Sequence, residues 1–343
     1  MSSLVDVKTC VVVPNWNGAD SLADCLDSLQ KQSLKAHIIV VDNGSVDNSV
    51  DLIEKKYPDI ELIKHSENKG FAGGVNAGFR SAIKQNFEYV AAFNNDAVAD
   101  KKWLEMLVEA LKKDSKLGIT TCKLLTDDGK TLDSTGDYYT NWGLPYPRGR
   151  GETDLNKYDA ETEIFGASGG ASLYRVKMLE EIGLFDEDFF AYYEDVDLSF
   201  RAQLAGWKIA YVPKSVAYHQ IGATSSKLKG FTTYQTMKNL QMLLYKNVPR
   251  KFLFRVGVRF FLAETLFLGR AISRGQGITA IKGDFKGSFL VFKGLAKRRK
   301  IQRTKKVSND YIWSMLVHDL PPNAKALRKL RANWWRLIRK KTN

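Results

Sequence analysis

Cysteine is scarce in this chain of 343 residues, which contains only Cys10, Cys25 and Cys122. Their number is odd and their spacing matches no metal-binding motif, so they indicate ordinary thiols in a reducing compartment. The first residues, MSSLVDVKT, lack a charged segment followed by a long apolar stretch. We therefore expect no signal peptide.

Acidic residues are nearly missing from the last third of the chain. Residues 227–343 contain 28 Lys and Arg but 4 Asp and Glu, a net charge of +24. Residues 1–226 contain the other 24 Lys and Arg and 34 Asp and Glu, a net charge of −10, and the whole chain carries +14. This asymmetry predicts a polyanion or an anionic membrane surface as the partner of the basic part.

Two familiar phosphate-binding motifs are absent from the first predicted loop. The segment PNWNG, residues 14–18, contains neither G-x-G-x-x-G nor G-x-x-x-x-G-K-[ST]. Their absence argues against a dinucleotide-binding Rossmann site and against a P-loop. The chain also shows no internal repeat and no heptad pattern.

The first part of the chain alternates between short apolar segments and amphipathic helical segments. The predicted strands are CVVVPN, HIIVVD, IELI and YVAAF, and a helical pattern follows each of them. This alternation predicts an α/β fold with a mostly parallel sheet flanked by helices. In such sheets ligands bind beyond the carboxyl ends of the strands. Polar residues lie at three of these ends: Pro14-Asn15, Asp42-Asn43 and Asn94-Asn95-Asp96.

After about residue 117 the alternation is lost, and the segment beginning LLTDDGK predicts loops and short hairpins. Further along, small residues precede a short helix that ends at Gly183, and an acidic segment begins a helix that ends at Gly206. KIAYVP is the last predicted strand.

Asp96, a lone acid after a buried strand, allows two interpretations. It could close a turn, or it could bind Mg²⁺ or Mn²⁺, since Mg²⁺ takes one or two protein carboxylates and completes its shell with phosphate and water. Asp42 considered alone favours a turn. A lone histidine such as His219 is more often structural than a ligand. Three polar strand ends at one edge are nevertheless hard to explain as three separate turns.

Two further segments contain residues that could bind a ligand or take part in catalysis. NKGFAGGVNAGF is either a flexible connection or a backbone brought close to a ligand at a helix N-terminus. YYEDVDL is the densest carboxylate cluster of the chain. A pair with Arg201 at i,i+4 explains Asp197. It does not explain Glu194 and Asp195, and adjacent acids can serve as base and orienting group.

The ordered set of motifs resembles the family 2 glycosyltransferases, in particular the rhamnosyltransferase-like branch that builds bacterial surface polysaccharides. The resemblance covers roughly residues 8–247 and rests on several motifs taken together. They are VVVPNWNG, VVDNGS, NKGFAGGVNAGF, NNDA, GASGGASL, YYEDVDLSFRAQLAGW and YHQIGATSS. It implies a GT-A fold and an inverting, metal-dependent transfer from a nucleoside-diphosphate sugar.

The resemblance also implies roles for individual residues. Asp195 would be the catalytic base with Glu194 beside it, and Asp96 and His219 would bind Mg²⁺ or Mn²⁺. Asp96 occupies the last position of the family's D-x-D motif, whose first position here is Asn94. Asp42 would contact the nucleobase. The set expected to bind the donor comprises Pro14, Asn15, Asn17, Asp42, Gly73, Gly74, Asn76, Asn94 and Asn95.

The basic part predicts a second domain, so that residues 1–226 form the catalytic domain and residues 227–343 a helical extension. The apolar stretch at 252–268 is interrupted by Arg255, Arg259 and Glu264. These charged residues make a transmembrane helix unfavourable there. LAKRRKIQRTKK is a charge block, and ALRKLRANWWRLIRKK is a basic amphipathic stretch containing Trp334 and Trp335. Such segments suit helices lying in a membrane interface.

Together the two parts predict a glycosyltransferase bound peripherally to the cytoplasmic face of the cell membrane, with a polyprenyl-diphosphate-linked glycan as acceptor. The basic charge would also suit nucleic acid, but a domain joined to a sugar-transfer site makes that partner the weaker expectation. A sugar nucleotidyltransferase is a second alternative, although VVVPNWNG lacks the glycine-rich basic loop of such enzymes. A third is a basic binding protein with an inactive GT-A domain.

Overall fold

The computed structural model describes residues 8–220, 228–322, 324 and 327–329. The strands are β1 (Thr9–Asn15), β2 (His37–Asp42), β3 (Glu61–Lys64), β4 (Tyr89–Phe93), β5 (Ala97–Ala99), β6 (Leu117–Thr126), β7 (Leu132–Ser134), β8 (Asp137–Tyr139), β9 (Pro145–Pro147), β10 (Ala171–Arg175) and β11 (Lys208–His219). The helices are α1 (Ala19–Gln30), α2 (Ser49–Lys56), α3 (Gly70–Lys84), α4 (Trp103–Lys113), α5 (Val176–Ile182), α6 (Glu194–Leu204), α7 (Phe231–Asn247), α8 (Arg250–Ser273), α9 (Gly277–Lys293), α10 (Leu295–Arg303) and α11 (Asn309–Met315).

The chain divides into two compact units. The first unit contains the described residues up to Asp137, together with those in Pro147–Lys229 and Thr304–Val307. The second contains Tyr138–Tyr146, Gly230–Arg303 and the described residues from Ser308 onward. Besides its helical segments, the second unit therefore includes the short segment Tyr138–Tyr146, which connects β8 to β9.

The first unit is built on one sheet with the strand order β3-β2-β1-β4-β10-β6-β11-β5, and β7 pairs with β6. Strands β3, β2, β1 and β4 are parallel, as the alternating pattern predicts. Every residue of β1 is buried, because helices cover both faces of the sheet. Val11 and Val13 pack in one apolar cluster with Leu26, whereas Val12 packs in the opposite cluster with Phe79.

Among the strands that the sequence prediction missed, β6 and β10 lie in the interior of the sheet. β6 lies where loops and hairpins were expected, and β10 occupies small residues expected only to precede a helix. β10 runs antiparallel to both β4 and β6 and joins the two halves of the sheet. Its burial pattern is continuous, so it has no alternation by which a strand is recognised from sequence.

The glycine-rich segment is helical from Gly70 onward, so its glycines lie in α3 at and after a helix N-terminus and not in a flexible connection. Gly70 has a φ of +72°, and a Cβ atom there would lie 2.3 Å from the carbonyl oxygen of Phe190. A Cβ on Gly78 would lie 2.3 Å from Val12, so this glycine lets α3 pack closely on β1. Close packing explains these two glycines without a ligand.

The second unit is mainly helical, as predicted for the basic part. Its helix α7 packs along α9, where Gly283 and Gly287 meet the backbone of Tyr234 and Lys238. None of the helices in the described ranges combines the length and the apolar character needed to cross a membrane. Of the predicted amphipathic stretch with Trp334 and Trp335, residues 327–329 are described and helical, and both tryptophans lie outside the described residues.

Candidate active site

The sheet topology brings several polar strand ends to one edge. Asn15 and Asp42 are paired in register at the carboxyl ends of β1 and β2. In the antiparallel pair of β4 and β10, Phe93 lies opposite Ala171. The residues after β4 therefore meet those before β10, and the backbone N–H of Asn94 donates to the carbonyl oxygen of Gly170 at 2.8 Å.

Asn15, Asp42 and Asn95 form a buried polar chain across three neighbouring strand ends. The Asn15 amide donates to Asp42 Oδ1 at 3.2 Å, and the Asn95 amide donates to Asn15 Oδ1 at 2.7 Å. Asp42 Oδ2 also accepts the backbone N–H of Ser45 at 3.0 Å. Asp42 thus closes a turn and also belongs to the common edge, so the two interpretations of this residue are compatible.

Pro14 and Asn17 shape the loop that follows β1. Pro14 lies within β1 in register with Val41. Asn17 adopts a positive φ of 50°, its N–H donates to Ser45 Oγ, and its Oδ1 accepts from the N–H of Val46. These bonds tie the β1 loop to the β2 loop and form one wall of the edge.

Asp96 and His219 lie together although one follows β4 and the other ends β11. His219 Nε2 is 3.2 Å from Asp96 Oδ1 and 3.1 Å from the Asn94 amide nitrogen. Asp96 Oδ1 is buried and accepts no hydrogen bond of good geometry within the described part of the chain. A buried carboxylate oxygen without such a donor is costly unless a cation satisfies it.

Asp133, a residue that sequence reasoning missed, holds the other side of His219. His219 Nδ1 is 2.8 Å from Asp133 Oδ2, and Arg150 Nη2 is 2.8 Å from Asp133 Oδ1. Burial opposes protonation of His219, but its contacts with Asp133 and Asp96 prevail and raise its pKa to about 9. A metal ion could bind Nε2 only if this nitrogen carried no proton, so metal binding and protonation of His219 would compete.

The donors at this point fit a divalent cation that is completed by a ligand. Within the described ranges, no group of three or more His, Cys, Asp or Glu side chains is arranged to hold a metal. Asp96 and His219 supply two donors, and the unsatisfied Oδ1 of Asp96 is the atom that a cation would satisfy. Mg²⁺ sites with one or two protein ligands are normally completed by phosphate and water. The residues therefore fit a metal that arrives with a diphosphate.

Asp195 reaches the same edge from the first turn of α6. Its Oδ2 accepts the N–H of Gly169 and its Oδ1 accepts the N–H of Val196, both at 2.8 Å. Burial raises its pKa, while these backbone donors and the charge of Arg150 oppose the rise. Its neighbour Glu194 is also buried. A carboxylate with a raised pKa is better matched to accepting a proton.

Asp137 is a second carboxyl group that the sequence analysis did not identify. Burial, followed by the charge of Asp195, raises the pKa of Asp137 well above its usual range, and Arg150 opposes this rise. Its backbone N–H and C=O pair with Gly166, at the start of the GASGG segment. β7 and β8 have three residues each, too few for a periodic signal. The sequence offered one indication of these residues, namely that the segment around them contains acidic and basic residues between glycines.

The aromatic segment before Asp195 has an unusual backbone. Phe190, Tyr192 and Tyr193 have positive φ values of 65°, 70° and 70°. Each such residue costs about 1–3 kcal/mol and persists only when its surroundings enforce it. The carbonyl oxygen of Phe190 accepts the N–H of Ala72 at 3.0 Å, which anchors this segment to the start of α3.

Three residues expected to bind the donor, Asn76, Gly73 and Gly74, also have contacts within the protein. Asn76 donates to the carbonyl oxygen of Phe185 and to Glu187, and its Oδ1 accepts from the N–H of Phe185. A Cβ on Gly74 would lie 2.5 Å from Asn43, and one on Gly73 would lie 2.6 Å from Lys69. These contacts give the three residues a part in the packing of α3, and their role in donor binding stays a prediction.

The comparison with known families agrees with this geometry. Residues 10–183, just over half of the chain, match the model of glycosyl transferase family 2. The chain therefore belongs to glycosyl transferase family 2, as its motifs predict.

Two curated relatives are similar over much of the first unit. One is the poly-beta-1,6-N-acetyl-D-glucosamine synthase of Staphylococcus aureus, 25% identical over 215 residues, covering 61% of this chain and 49% of the relative. The other is the N-acetylglucosaminyl-diphospho-decaprenol L-rhamnosyltransferase of Mycobacterium tuberculosis, 25% identical over 201 residues, covering 53% of this chain and 66% of the relative. The chain thus spans about half the length of the first relative and about two thirds of the second.

A solved structure shows the same architecture. It is described as the mannosyltransferase PcManGT from Pyrobaculum calidifontis in complex with GDP-Man and Mn²⁺. The two chains align with a TM-score of 0.51 and 17% identity, covering 92% of this chain and 89% of the other. The likeness confirms the predicted GT-A fold.

Proposed function

We propose that this protein transfers a sugar, with inversion, from a nucleoside-diphosphate sugar to a hydroxyl group of a lipid-linked glycan. One observation carries the proposal. Gly169 donates to the Asp195 carboxylate, and the adjacent Gly170 accepts from Asn94, two residues before Asp96. The backbone therefore links a proton acceptor directly to the Asp96–His219 pair. Sugar transfer needs this combination of a base and a site for the leaving diphosphate.

The donor end of the site is assigned to the edge formed by β1, β2 and β4. Asp42, Asn15 and Asn95 are buried and linked, so their oxygen atoms are held in fixed positions for the nucleoside. Asp96 and His219 would hold Mg²⁺ or Mn²⁺ next to the diphosphate. When bound, the ion would supply positive charge that stabilises the departing nucleoside diphosphate.

Asp195 is assigned the proton transfer. The acceptor oxygen forms a bond to the anomeric carbon while the bond from that carbon to the diphosphate oxygen breaks. The hydroxyl proton passes to the Asp195 carboxylate. Attack from the face opposite the leaving group inverts the anomeric configuration. The two backbone N–H groups that Asp195 accepts hold its carboxylate in one orientation.

The name of one relative supports a proposal for the donor sugar and the acceptor. The mycobacterial relative is named for an L-rhamnosyl transfer to a diphospho-decaprenol acceptor, and we propose rhamnose or another hexose as the donor sugar. We also propose a polyprenyl-diphosphate-linked glycan as the acceptor. Such an acceptor is anchored in a bilayer, so the proposal includes peripheral attachment to the cytoplasmic face of the cell membrane.

The test is a transfer assay with purified full-length protein. A panel of nucleoside-diphosphate sugars is incubated with a polyprenyl-diphosphate N-acetylglucosamine acceptor, and the anomeric configuration of the product is read by NMR. We expect one donor to yield product of inverted configuration together with free nucleoside diphosphate. Release of pyrophosphate from a nucleoside triphosphate and a sugar phosphate would instead identify a nucleotidyltransferase. Absence of turnover with every donor, combined with nucleotide binding, would support the inactive domain.

A further inference from the structure

The outward face of α8 and α9 is unusually apolar. Large side chains such as Phe254, Phe261, Ile278, Phe285 and Phe292 are between 63% and 85% exposed. Eleven of the fourteen exposed large hydrophobic residues in the described part of the chain lie between Phe254 and Leu295. Isolated exposed hydrophobic residues are normal, but a contiguous set of this kind marks a binding surface.

Along α9 the bulky apolar residues face solvent, whereas a helix in water normally buries them. Three of its four buried positions carry small residues, and Ala280, Gly283 and Gly287 let the helix approach α7 closely. Ile278, Ile281, Phe285, Phe289 and Phe292 are spaced by three or four residues and face away from that contact. A helix that needed only to cover α7 would carry polar residues at these positions.

Positive charge borders this apolar face, and negative charge is turned away from it. Lys282, Lys286 and Lys293 are exposed on α9, and the Lys286 ammonium lies 5.4 Å from the centre of the Phe289 ring. In α8 and α9 the acidic side chains are Glu264 and Asp284, and both are bonded to Gln241 of α7. The adjoining helix α10, LAKRRKIQR, carries no acid at all.

We propose that this face, consisting of the outward residues of α8 and α9, docks on an anionic lipid bilayer. Phenylalanine and isoleucine side chains would enter the boundary between headgroups and acyl chains, while the flanking lysines would contact the lipid phosphates. A second copy of the chain fits the face less well, because self-association would bring lysine borders of like charge together. Nucleic acid would neutralise the lysines but leave a helical row of apolar side chains in water.

Membrane docking would bring the enzyme to its lipid-linked acceptor, and this purpose rests on the proposed function. The docking itself does not depend on that function. Binding to vesicles is measured without any nucleotide sugar. A failure of vesicle binding therefore concerns this surface, whereas a failure of turnover with every donor, while vesicle binding is intact, concerns the reaction.

The experiment is flotation of full-length protein with vesicles of phosphatidylglycerol and phosphatidylcholine, and with phosphatidylcholine alone. The test variant is Phe285→Ser/Phe289→Ser/Phe292→Ser, which keeps every lysine. The control variant is Val46→Ser/Val98→Ser, which removes exposed apolar residues from the first unit. Since all five side chains are exposed, we expect unchanged thermal unfolding for both variants.

We expect the wild type and the control to bind anionic vesicles and to retain part of this binding at high salt. The phenylalanine variant should bind at least about tenfold more weakly, and salt should release what remains, since lysine contacts are screened and apolar contacts are not. A second variant, Lys282→Glu/Lys286→Glu/Lys293→Glu, should lose the preference for anionic lipid.

Three results would overturn the proposal. The first is equal flotation of the wild type and the phenylalanine variant. The second is an unchanged vesicle affinity with loss of a dimer in light scattering, which would make the face a contact between copies. The third is tighter binding to single-stranded RNA than to vesicles, with the same RNA affinity in the phenylalanine variant.

Discussion

His219 Nδ1 lies 2.8 Å from Asp133 Oδ2, although 86 positions separate the two residues in the sequence. The contact is possible because β7 folds back along β6 and β11 runs parallel to β6 on its other side. A carboxylate that accepts from one ring nitrogen orients the other nitrogen, here towards Asp96. Asp133 is therefore a positioning residue for the Asp96–His219 pair.

Replacing Asp133 by asparagine should weaken metal binding. In Asp133→Asn the side-chain amide would place an N–H group against either Arg150 or the His219 ring, both of which are donors. We expect the affinity for Mn²⁺, measured calorimetrically with a bound nucleoside diphosphate, to fall by about 10–100-fold. Turnover at saturating Mn²⁺ should recover much of its wild-type value.

The matched control is Glu61→Gln. It breaks another histidine–carboxylate contact, that of His37 Nε2 with Glu61 Oε2 at 2.8 Å, at the amino end of β2. Mn²⁺ affinity should stay unchanged there. A similar loss in both variants would show that Asp133 has no special part in the site.

Substitution of Asp195 by asparagine should abolish most turnover. Asp195→Asn keeps the size of the side chain and loses its proton affinity, so turnover should fall by about 10²-fold or more while donor affinity stays near normal. Steady-state kinetics and calorimetry measure the two quantities. The neighbouring variant Glu194→Gln serves as control. If that variant is inactive and Asp195→Asn is active, the roles of the two acids are reversed.

The pH profile should reflect the environment of Asp195. A general base must be deprotonated, so activity rises as pH passes through its pKa and is lost below it. Because burial raises the pKa of Asp195 above its ordinary value, the acidic limb of kcat/KM should lie above the range of an exposed aspartate. Arg150 lowers the pKa, so Arg150→Gln should move the limb to higher pH. A limb that moves to lower pH would contradict this assignment.

The pair of Asp197 and Arg201 should matter for stability, as its i,i+4 spacing predicts. Arg201 Nε donates to Asp197 Oδ2 at 2.9 Å, and both side chains are buried. Asp197→Ala leaves a buried guanidinium without its counter-ion, so the free energy of unfolding should fall by about 3–5 kcal/mol. Arg201 keeps its bonds to the carbonyl groups of Ile182, Gly183 and Leu184, which favours the lower figure.

An exposed pair of the same spacing provides the comparison. Lys55 and Asp51 also lie at i,i+4, 3.1 Å apart, but both are largely exposed to solvent. Asp51→Ala should change the free energy of unfolding by no more than about 0.5 kcal/mol. Urea denaturation of both variants measures the difference, and equal effects would show that burial of the first pair is unimportant.

The sequence by itself determined the class of fold and the edge of the sheet at which the candidate site lies. Strands such as CVVVPN and YVAAF are recognisable because β-branched and apolar residues run together between helical patterns. Since parallel strands end at one edge, the positions of Asn15, Asp42 and Asp96 along the chain are enough to group them. Ordered motifs then indicated the family, and the match over residues 10–183 confirmed it.

Tertiary structure alone decided which polar groups meet at that edge. Asp133, Asp137 and Arg150 lie on short strands and loops without periodicity, and they reach the site only because β6 and β10 complete the sheet. The same holds for Asn76, whose amide is turned into the packing of α3, and for the apolar face of α9. The sequence pattern within one helix or strand shows which of its residues are apolar. The rotation of a helix and the pairing of distant strands depend on contacts between elements, which no local pattern contains.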